Sequence, residues 1–322
     1  MPSPAPSGSS TALRHGAFDA HGKAILLGEH AVVHGAPAIA LPVAGLAVHV
    51  DADETAGPSL LDSALYRGPL EAAPAQLQPT VTAARAVLER FGASELTLRL
   101  RVRSAVPVER GLGSSAAVAA ATVGAVARML GLELDADLHH ELVQEAERVA
   151  HGTPSGLDAR AVLADAPIWF HGGRIEPVAV GASFAFVLAD TGAQSGTREA
   201  VAAVHAQRAT DPARVARAVE ELGDLAVQAR DDLGRGDHDA LGTRLDDAHA
   251  LLQQLDVSSP GLDHLVRAAR DAGARGAKLT GGGRGGCILA LAADAAVSHH
   301  LAEALRRAGA AAAWTTTVER TS

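Results

Sequence analysis

The chain is predicted to fold as two mixed α/β domains that meet near residue 180. Its 322 residues suffice for two domains of ordinary size. Its 48% hydrophobic content supplies two cores, and these must be built from Ala, Val and Leu because only 2% of the chain is aromatic. Strand-like and helix-like patterns also alternate along both halves, with a change of character at Ser183.

Met1–Ala12 is rich in Pro and Ser and has no apolar stretch of the signal-peptide kind, so it reads as a disordered lead-in. Short apolar segments at Ala24–Leu27, Ala38–Val43 and Leu46–Val50, separated by Gly, Pro and His, predict a multi-stranded sheet. Thr55–Pro79 is turn-rich and reads as a surface insertion. A helix over Thr80–Phe91 leads to a strand, Leu96–Ser104, that alternates Leu and Arg. Two helices follow, Ala116–Leu130 and Asp137–Ala150, the second with Leu138, Leu142, Val143, Ala146 and Val149 on one face. His151–Asp158 is too rich in Gly and Pro to be helical, and Ile168–His171 with Arg174–Val178 forms a hairpin around Gly172-Gly173.

The second half opens with a strand at Phe184–Ala189 and a loop at Asp190–Gly196. Helical periodicity covers Arg198–Arg208, Pro212–Leu233, Ala240–Leu255 and Pro260–Ala272. A strand at Lys278–Leu279, a glycine loop at Gly281–Gly286, a strand at Cys287–Leu291, a helix at Ala295–Ala308 and a strand at Ala312–Val318 complete the pattern. No repeat period runs through it.

Composition excludes several functions. A net charge of −9 and a pI near 5.9 argue against nucleic acid as a partner. A single cysteine, Cys287, excludes an internal disulfide, no Cys/His spacing resembles a zinc site, and no apolar run approaches the ~20 residues that span a bilayer. A cytoplasmic location is the simplest expectation. The pairs His139-His140 and His299-His300 fall on polar helix faces and are expected to be solvated, since helix neighbours cannot face one ligand together. Only two of the 28 basic residues are lysines, Lys23 and Lys278, each beside a glycine-containing motif. A chain that otherwise uses arginine keeps lysine where a compact, flexible point charge is needed.

The stretch Pro107-Val-Glu-Arg-Gly-Leu-Gly-Ser-Ser-Ala-Ala117 stands between a strand and a helix, the order that an anion site requires. The first turn of a helix leaves amides without partners and carries partial positive charge, and phosphate oxygens satisfy both. Gly111 and Gly113 allow close backbone approach, and Ser114 and Ser115 add hydroxyls. The alternative is an ordinary loop in which Ser114 caps the helix. Glu147 falls near a helix end, where a carboxylate opposes the helix dipole and calls for a cation or another partner, a solvated surface glutamate being the alternative. Other phosphate and nucleophile motifs fail. Ala24 follows the only Gly-Lys, which excludes a Walker A loop. Gly281, Gly283 and Gly286 precede a strand instead of a helix, which excludes a dinucleotide fingerprint. Neither serine sits in Gly-x-Ser-x-Gly.

Four blocks in order, Gly22-Lys23 with Gly28-Glu29-His30-Ala-Val-Val-His-Gly35, Pro107–Ala117, His151–Asp158, and Lys278-Leu-Thr-Gly-Gly-Gly-Arg-Gly-Gly-Cys287, resemble the mevalonate kinases of the GHMP small-molecule kinase family. Asp190-Thr191 with Thr197-Arg198-Glu199 looks like the bacterial branch. The chain departs from the family pattern at His21, at Glu109-Arg110 and at Arg284. The resemblance implies an α+β two-domain GHMP kinase fold. Residues 13–180 would form an N-terminal ATP-binding domain like ribosomal protein S5 domain 2. Residues 181–322 would form a ferredoxin-like C-terminal domain with added helices.

The same resemblance implies phosphorylation of the 5-hydroxyl of mevalonate by ATP. Pro107, Glu109, Arg110, Gly111, Leu112, Gly113, Ser114, Ser115 and Ala116 would cradle the phosphates, and Ser115 with Glu147 would hold Mg2+. Asp158 would take the hydroxyl proton beside Lys23, while Glu29, His30 and Thr197, with Lys23 and Asp158, would grip the substrate. His30 is expected as a donor to an anion, with a hydrogen-bonded structural histidine beside the sheet as the alternative. Another GHMP kinase substrate (phosphomevalonate, homoserine or a sugar) and a non-catalytic regulator are the competing readings, and a homodimer is left open.

Overall fold

A computed structural model describes residues 13–151 and 155–321, without the side chains of residues 150, 151, 197 and 198. The lead-in Met1–Ala12 lies outside the described residues.

Two long strands, β1 (His15–Leu27) and β2 (Ala38–Glu54), form an antiparallel ribbon. The breaks seen in the sequence are irregularities inside it. His21 pairs with Ala47 and Gly22 with Val43, so Ala44, Gly45 and Leu46 bulge from β2 without ending it. The expected short strands are therefore parts of two long ones. The turn-rich segment that follows is also part of the sheet. Its strands β3 (Leu60–Asp62) and β4 (Arg67–Pro69) extend one edge, and Leu61 and Leu70 are buried. Burial of these leucines outweighs the prolines around them.

Helix α1 (Gln78–Arg90) leads to β5 (Leu98–Ser104), which pairs with β2 and, in parallel, with β3. Helix α2 (Ser114–Met129) then crosses the sheet, buried on nearly every face. Its small residues allow this. A Cβ on Gly124 would stand 2.3 Å from the Phe18 ring, and one on Gly16 would stand 2.2 Å from the backbone of Met129.

Helix α3 (Ala136–His151) corrects one expectation. His139 is buried, its Nε2 lies 2.9 Å from the Ala120 carbonyl, and its ring meets Phe18 edge-on. Residues one apart on a helix point about 100° apart, so a pair at the boundary of a face sends one ring inward. His299 and His300 are exposed, as expected. Helix α4 (Leu157–Ala161) is a second correction, because Leu157 and Asp158 begin a helix entered through Gly156 at φ 89°. Residues 152–154 of the same motif lie outside the described residues. Strands β6 (Ile168–His171) and β7 (Arg174–Pro177) form the expected hairpin and complete a sheet ordered β4-β3-β5-β2-β6-β7, with β1 on β2.

The second sheet begins with β8 (Phe184–Asp190), which is buried along its whole length. Four helices follow, α5 (Thr197–Thr210), α6 (Pro212–Arg235), α7 (His238–Gln254) and α8 (Pro260–Asp271). Then come β9 (Gly276–Thr280), β10 (Cys287–Leu291), α9 (Ala295–Arg307) and β11 (Ala312–Val318). The strands pair antiparallel in the order β11-β8-β10-β9. Side chains of Asp211, Asp237, Ser259 and Asp294 accept amides in the first turns of α6, α7, α8 and α9, which fixes where those helices start. Cys287 is buried in β10 and burial pushes its thiol up, so it acts as a small apolar residue. No described helix is long and apolar enough to cross a membrane.

Candidate active site

The glycine loop at 107–113 joins β5 to α2 and is held against β1 by the Lys23 amide, which donates to the Leu112 carbonyl at 3.0 Å. Gly111 and Gly113 have φ of 78° and 76°, the left-handed region that favours glycine. Gly113 occupies the N-cap position of α2, and no side chain caps that helix. The reading of Ser114 as a cap therefore falls away, and the first amides of α2 carry no capping side chain. A Cβ on Gly113 would stand 2.9 Å from Lys23 Cγ, so loop and lysine stem fit only with glycine here.

Lys23 and Asp158, expected to work together, are brought together, with Nζ 3.0 Å from Oδ1. The lysine side chain is 3% exposed and the carboxylate 41%, so the ion pair has a sealed base and an open tip. Ser115 and Glu147 also meet, the hydroxyl donating to Oε1 at 2.6 Å, with Glu147 buried.

A second glycine loop, Gly281–Gly286, lies against the first. A Cβ on Gly281 would stand 2.9 Å from Gly111 Cα, and one on Gly286 would stand 2.7 Å from the Arg110 carbonyl. Backbone against backbone at this spacing leaves no room for side chains. The Ser195 amide also donates to the Glu109 carbonyl at 2.8 Å.

Three expected residues are engaged differently from the sequence reading. Arg110 Nε donates to Asp190 at 2.9 Å and its Nη2 to the Gly192 carbonyl at 3.2 Å. Its guanidinium thus ties the first glycine loop to the end of β8, and Glu109 beside it is exposed. His30 is buried, with Nε2 3.0 Å from the Gly282 carbonyl. A carbonyl only accepts, so Nε2 carries the hydrogen. Burial lowers the pKa of His30 to about 4, which leaves the ring neutral near pH 7, with its Nε2 hydrogen engaged by Gly282. Glu29 is buried against Lys278. Thr197 starts α5, and its side chain lies outside the described residues. Arg284 serves the fold, its guanidinium holding the Asp256 carboxylate at 2.8 Å while its amide donates to the Val257 carbonyl.

Sequence reasoning missed the contacts across the two halves. Lys278 meets Glu29, and Thr280 Oγ1 accepts from the Ile25 amide at 2.9 Å and donates to the Ile25 carbonyl at 3.0 Å. Glu29, Lys278 and Thr280 all stand in blocks the sequence singles out, but nothing in the sequence pairs them with their partners.

The chain is similar to known proteins in sequence and in fold. The family models described as GHMP kinases N terminal domain and GHMP kinases C terminal match residues 79–165 and 229–311. A mevalonate kinase of Pyrococcus furiosus is 33% identical over 308 residues, covering 89% of this chain and 91% of that protein. One from Aeropyrum pernix is 32% identical, covering 88% and 90%. The crystal structure of L. major mevalonate kinase in complex with R-mevalonate superposes over 100% of both chains with a TM-score of 0.82 and 28% identity. The chain belongs to the GHMP kinase family and, within it, to the mevalonate kinases.

Proposed function

We propose that the protein transfers the γ-phosphoryl group of ATP to the 5-hydroxyl of (R)-mevalonate, giving 5-phosphomevalonate and ADP, with Lys23 and Asp158 at the reacting oxygen. The observation that carries this is the Lys23–Asp158 pair at 3.0 Å, buttressed by Gly113 at the uncapped start of α2. Phosphoryl transfer needs in-line placement and charge stabilisation more than covalent help. The backbone of Gly111–Ala116 offers amides to the phosphates. Asp158, open to the cleft, orients the substrate hydroxyl and accepts its proton as the oxygen bonds to phosphorus. Lys23 keeps that carboxylate ionised and stabilises negative charge on the transferring group.

Ser115 and Glu147 are the residues that would hold Mg2+, and their donors fit it. Both offer hard oxygens, 2.6 Å apart at the start of α2. Among the described residues no group of three or more His, Cys, Asp or Glu gathers as a metal site, and Mg2+ is usually held by one or two carboxylates plus water and phosphate oxygens. When bound, the ion neutralises phosphate charge. This reading assigns residues 13–180 to the ATP-binding domain and 181–322 to the second domain.

A coupled assay of ADP release tests the substrate, with mevalonate, phosphomevalonate, homoserine and galactose side by side. Turnover of mevalonate alone is expected. Preference for another acceptor moves the protein to a different GHMP kinase activity, and no turnover with any of them leaves a binding protein.

A further inference from the structure

Arg110 stands inside the first glycine loop, one residue before Gly111, yet every nitrogen of its guanidinium is already engaged. Nε donates to Asp190 Oδ2 at 2.9 Å and Nη2 to the Gly192 carbonyl at 3.2 Å. Nη1 donates within its own loop, to the carbonyls of Glu109 at 3.3 Å and Val108 at 3.4 Å. The other carboxylate oxygen of Asp190 accepts from the Gly192 amide at 2.8 Å. The arginine side chain is 19% exposed and the aspartate 8%. Taking up a phosphate would break a pair that has already lost most of its water, so this arginine is poorly placed to be a phosphate ligand.

Residues 191–196 run from β8 to α5 without strand or helix, so their lateral bonds decide where they lie. At one end Arg110 holds Asp190 and Gly192, and at the other the Ser195 amide donates to the Glu109 carbonyl at 2.8 Å. Glu109 offers that carbonyl from φ 57°, a left-handed conformation that a residue with a Cβ adopts only when its surroundings impose it. Between these ends the Thr191 amide donates to the Gly286 carbonyl at 2.9 Å and the Gly286 amide to the Ala193 carbonyl at 2.9 Å. Glu109 and Arg110 thus face two ways. Along the chain they lead into Gly111 and the start of α2, and across the cleft they fix the loop that ends at Thr197, the first residue of α5.

We propose that Arg110 is a positioning residue for the acceptor substrate and not a ligand of the nucleotide: paired with Asp190, it sets the start of α5 at a fixed place relative to the phosphate cup. The proposal rests on the reading of mevalonate as acceptor and of the start of α5 as part of its grip. Transfer between two bound groups tolerates little displacement, and a shift of about 1 Å can cost about a hundred-fold in rate. The planar fork of arginine spans Asp190 Oδ2 and the Gly192 carbonyl at once, which the shorter amide of glutamine cannot.

Steady-state kinetics and calorimetric titration of the full-length protein, with Arg110→Gln, Asp190→Asn and the double variant, test this. In each variant kcat/KM for mevalonate should fall roughly ten- to hundred-fold, with the KM of mevalonate raised at least about five-fold. The Kd of a non-hydrolysable ATP analogue, titrated with Mg2+ and no mevalonate, should stay within about two-fold. The double variant should match the single ones, because the two side chains act as one unit. If Arg110→Gln leaves Asp190 unpaired and does not fold, the double variant, which buries no lone charge, carries the same comparison. A loss of ATP affinity as large as the loss for mevalonate overturns the proposal and makes Arg110 a nucleotide ligand. Losses that multiply in the double variant overturn it, as does a lower kcat with both KM values unchanged, which marks only a smaller active fraction. An unaltered enzyme inactive on mevalonate would instead overturn the substrate reading.

Discussion

The two lysines of this chain make two ion pairs with carboxylates, and the pairs differ in one respect that decides what each can do. Asp158 in the first pair is 41% exposed, whereas Lys278 and Glu29 in the second have side chains 0% and 1% exposed. An open carboxylate can be reached by a substrate and can exchange a proton. A sealed pair can do neither without unfolding, and both of its members have lost their water. Desolvating two charges costs several kcal/mol per ion, offset by their mutual contact and by the Leu279 carbonyl that accepts from Lys278. The same residue types thus serve chemistry where water reaches the carboxylate, and alignment of the two halves where it does not.

Opposite signatures should follow. Lys278→Met leaves the Glu29 carboxylate in the interior without its cation, a change that costs about 3–5 kcal/mol of stability. Thermal or denaturant unfolding measures it. Asp158→Asn should cost less stability than Lys278→Met, because the carboxylate is partly solvated and the amide oxygen can still accept from Lys23, yet raise the barrier to phosphoryl transfer by about 3–4 kcal/mol. Near-normal turnover of Asp158→Asn would remove that residue from the mechanism, and a large loss of its melting temperature would erase the contrast between the pairs.

The open pair was legible in the sequence and the sealed one was not. The resemblance to the mevalonate kinases already implied Asp158 beside Lys23, each standing in one of the blocks that carry it. Glu29 and Lys278 are 249 residues apart, and no local pattern encodes a contact that exists only once two halves have packed. Arg110 shows the same limit. It reads as part of the phosphate loop, but its guanidinium reaches Asp190, 80 residues on. The helices of the second half were legible in their periodicity, and the caps Asp211, Asp237, Ser259 and Asp294 fix their starts in the structure. The long ribbon was not, because a bulge such as Ala44–Leu46 has the same composition as a turn. His139 went astray for a related reason: polarity places a residue on a face only when the neighbouring element is known, and here Phe18 and the Ala120 carbonyl make a dry, hydrogen-bonded slot.

The fit between Lys23 and the phosphate loop can be separated from backbone strain. Gly113 and Gly92 have φ of 76° and 65°, but a Cβ on Gly113 would meet Lys23 Cγ at 2.9 Å whereas one on Gly92 would meet nothing within 4 Å. Alanine at either position should cost about 1–2 kcal/mol of stability for the left-handed conformation. Only Gly113→Ala should also lower kcat, by displacing the lysine. Equal kcat in the two variants would mean that the contact with Lys23 does not matter to turnover.

The smallest effect belongs to a third set of charges, between β1 and β2, where the side chains of His49, Asp19 and Asp51 are 31%, 75% and 13% exposed. His49 stands between Asp19, with Nδ1 2.6 Å from Oδ1, and Asp51, with Nε2 3.2 Å from Oδ1. Its pKa is raised, first by the hydrogen bond to Asp19 and then by Asp51, against some desolvation. A group whose folded pKa lies above its unfolded value stabilises fully below the unfolded value, near pH 6.5 for histidine. That contribution is lost as pH rises through the folded pKa. Because Asp19, the first of the causes, is largely solvated, the whole contribution should be only about 0.5–1 kcal/mol. The melting temperature of the unaltered protein should exceed that of His49→Gln at pH 6, and the gap should close by pH 9. A gap that stays constant across that range would mean that the imidazole supports the sheet by contact alone, and that exposure has reduced its charge to no consequence.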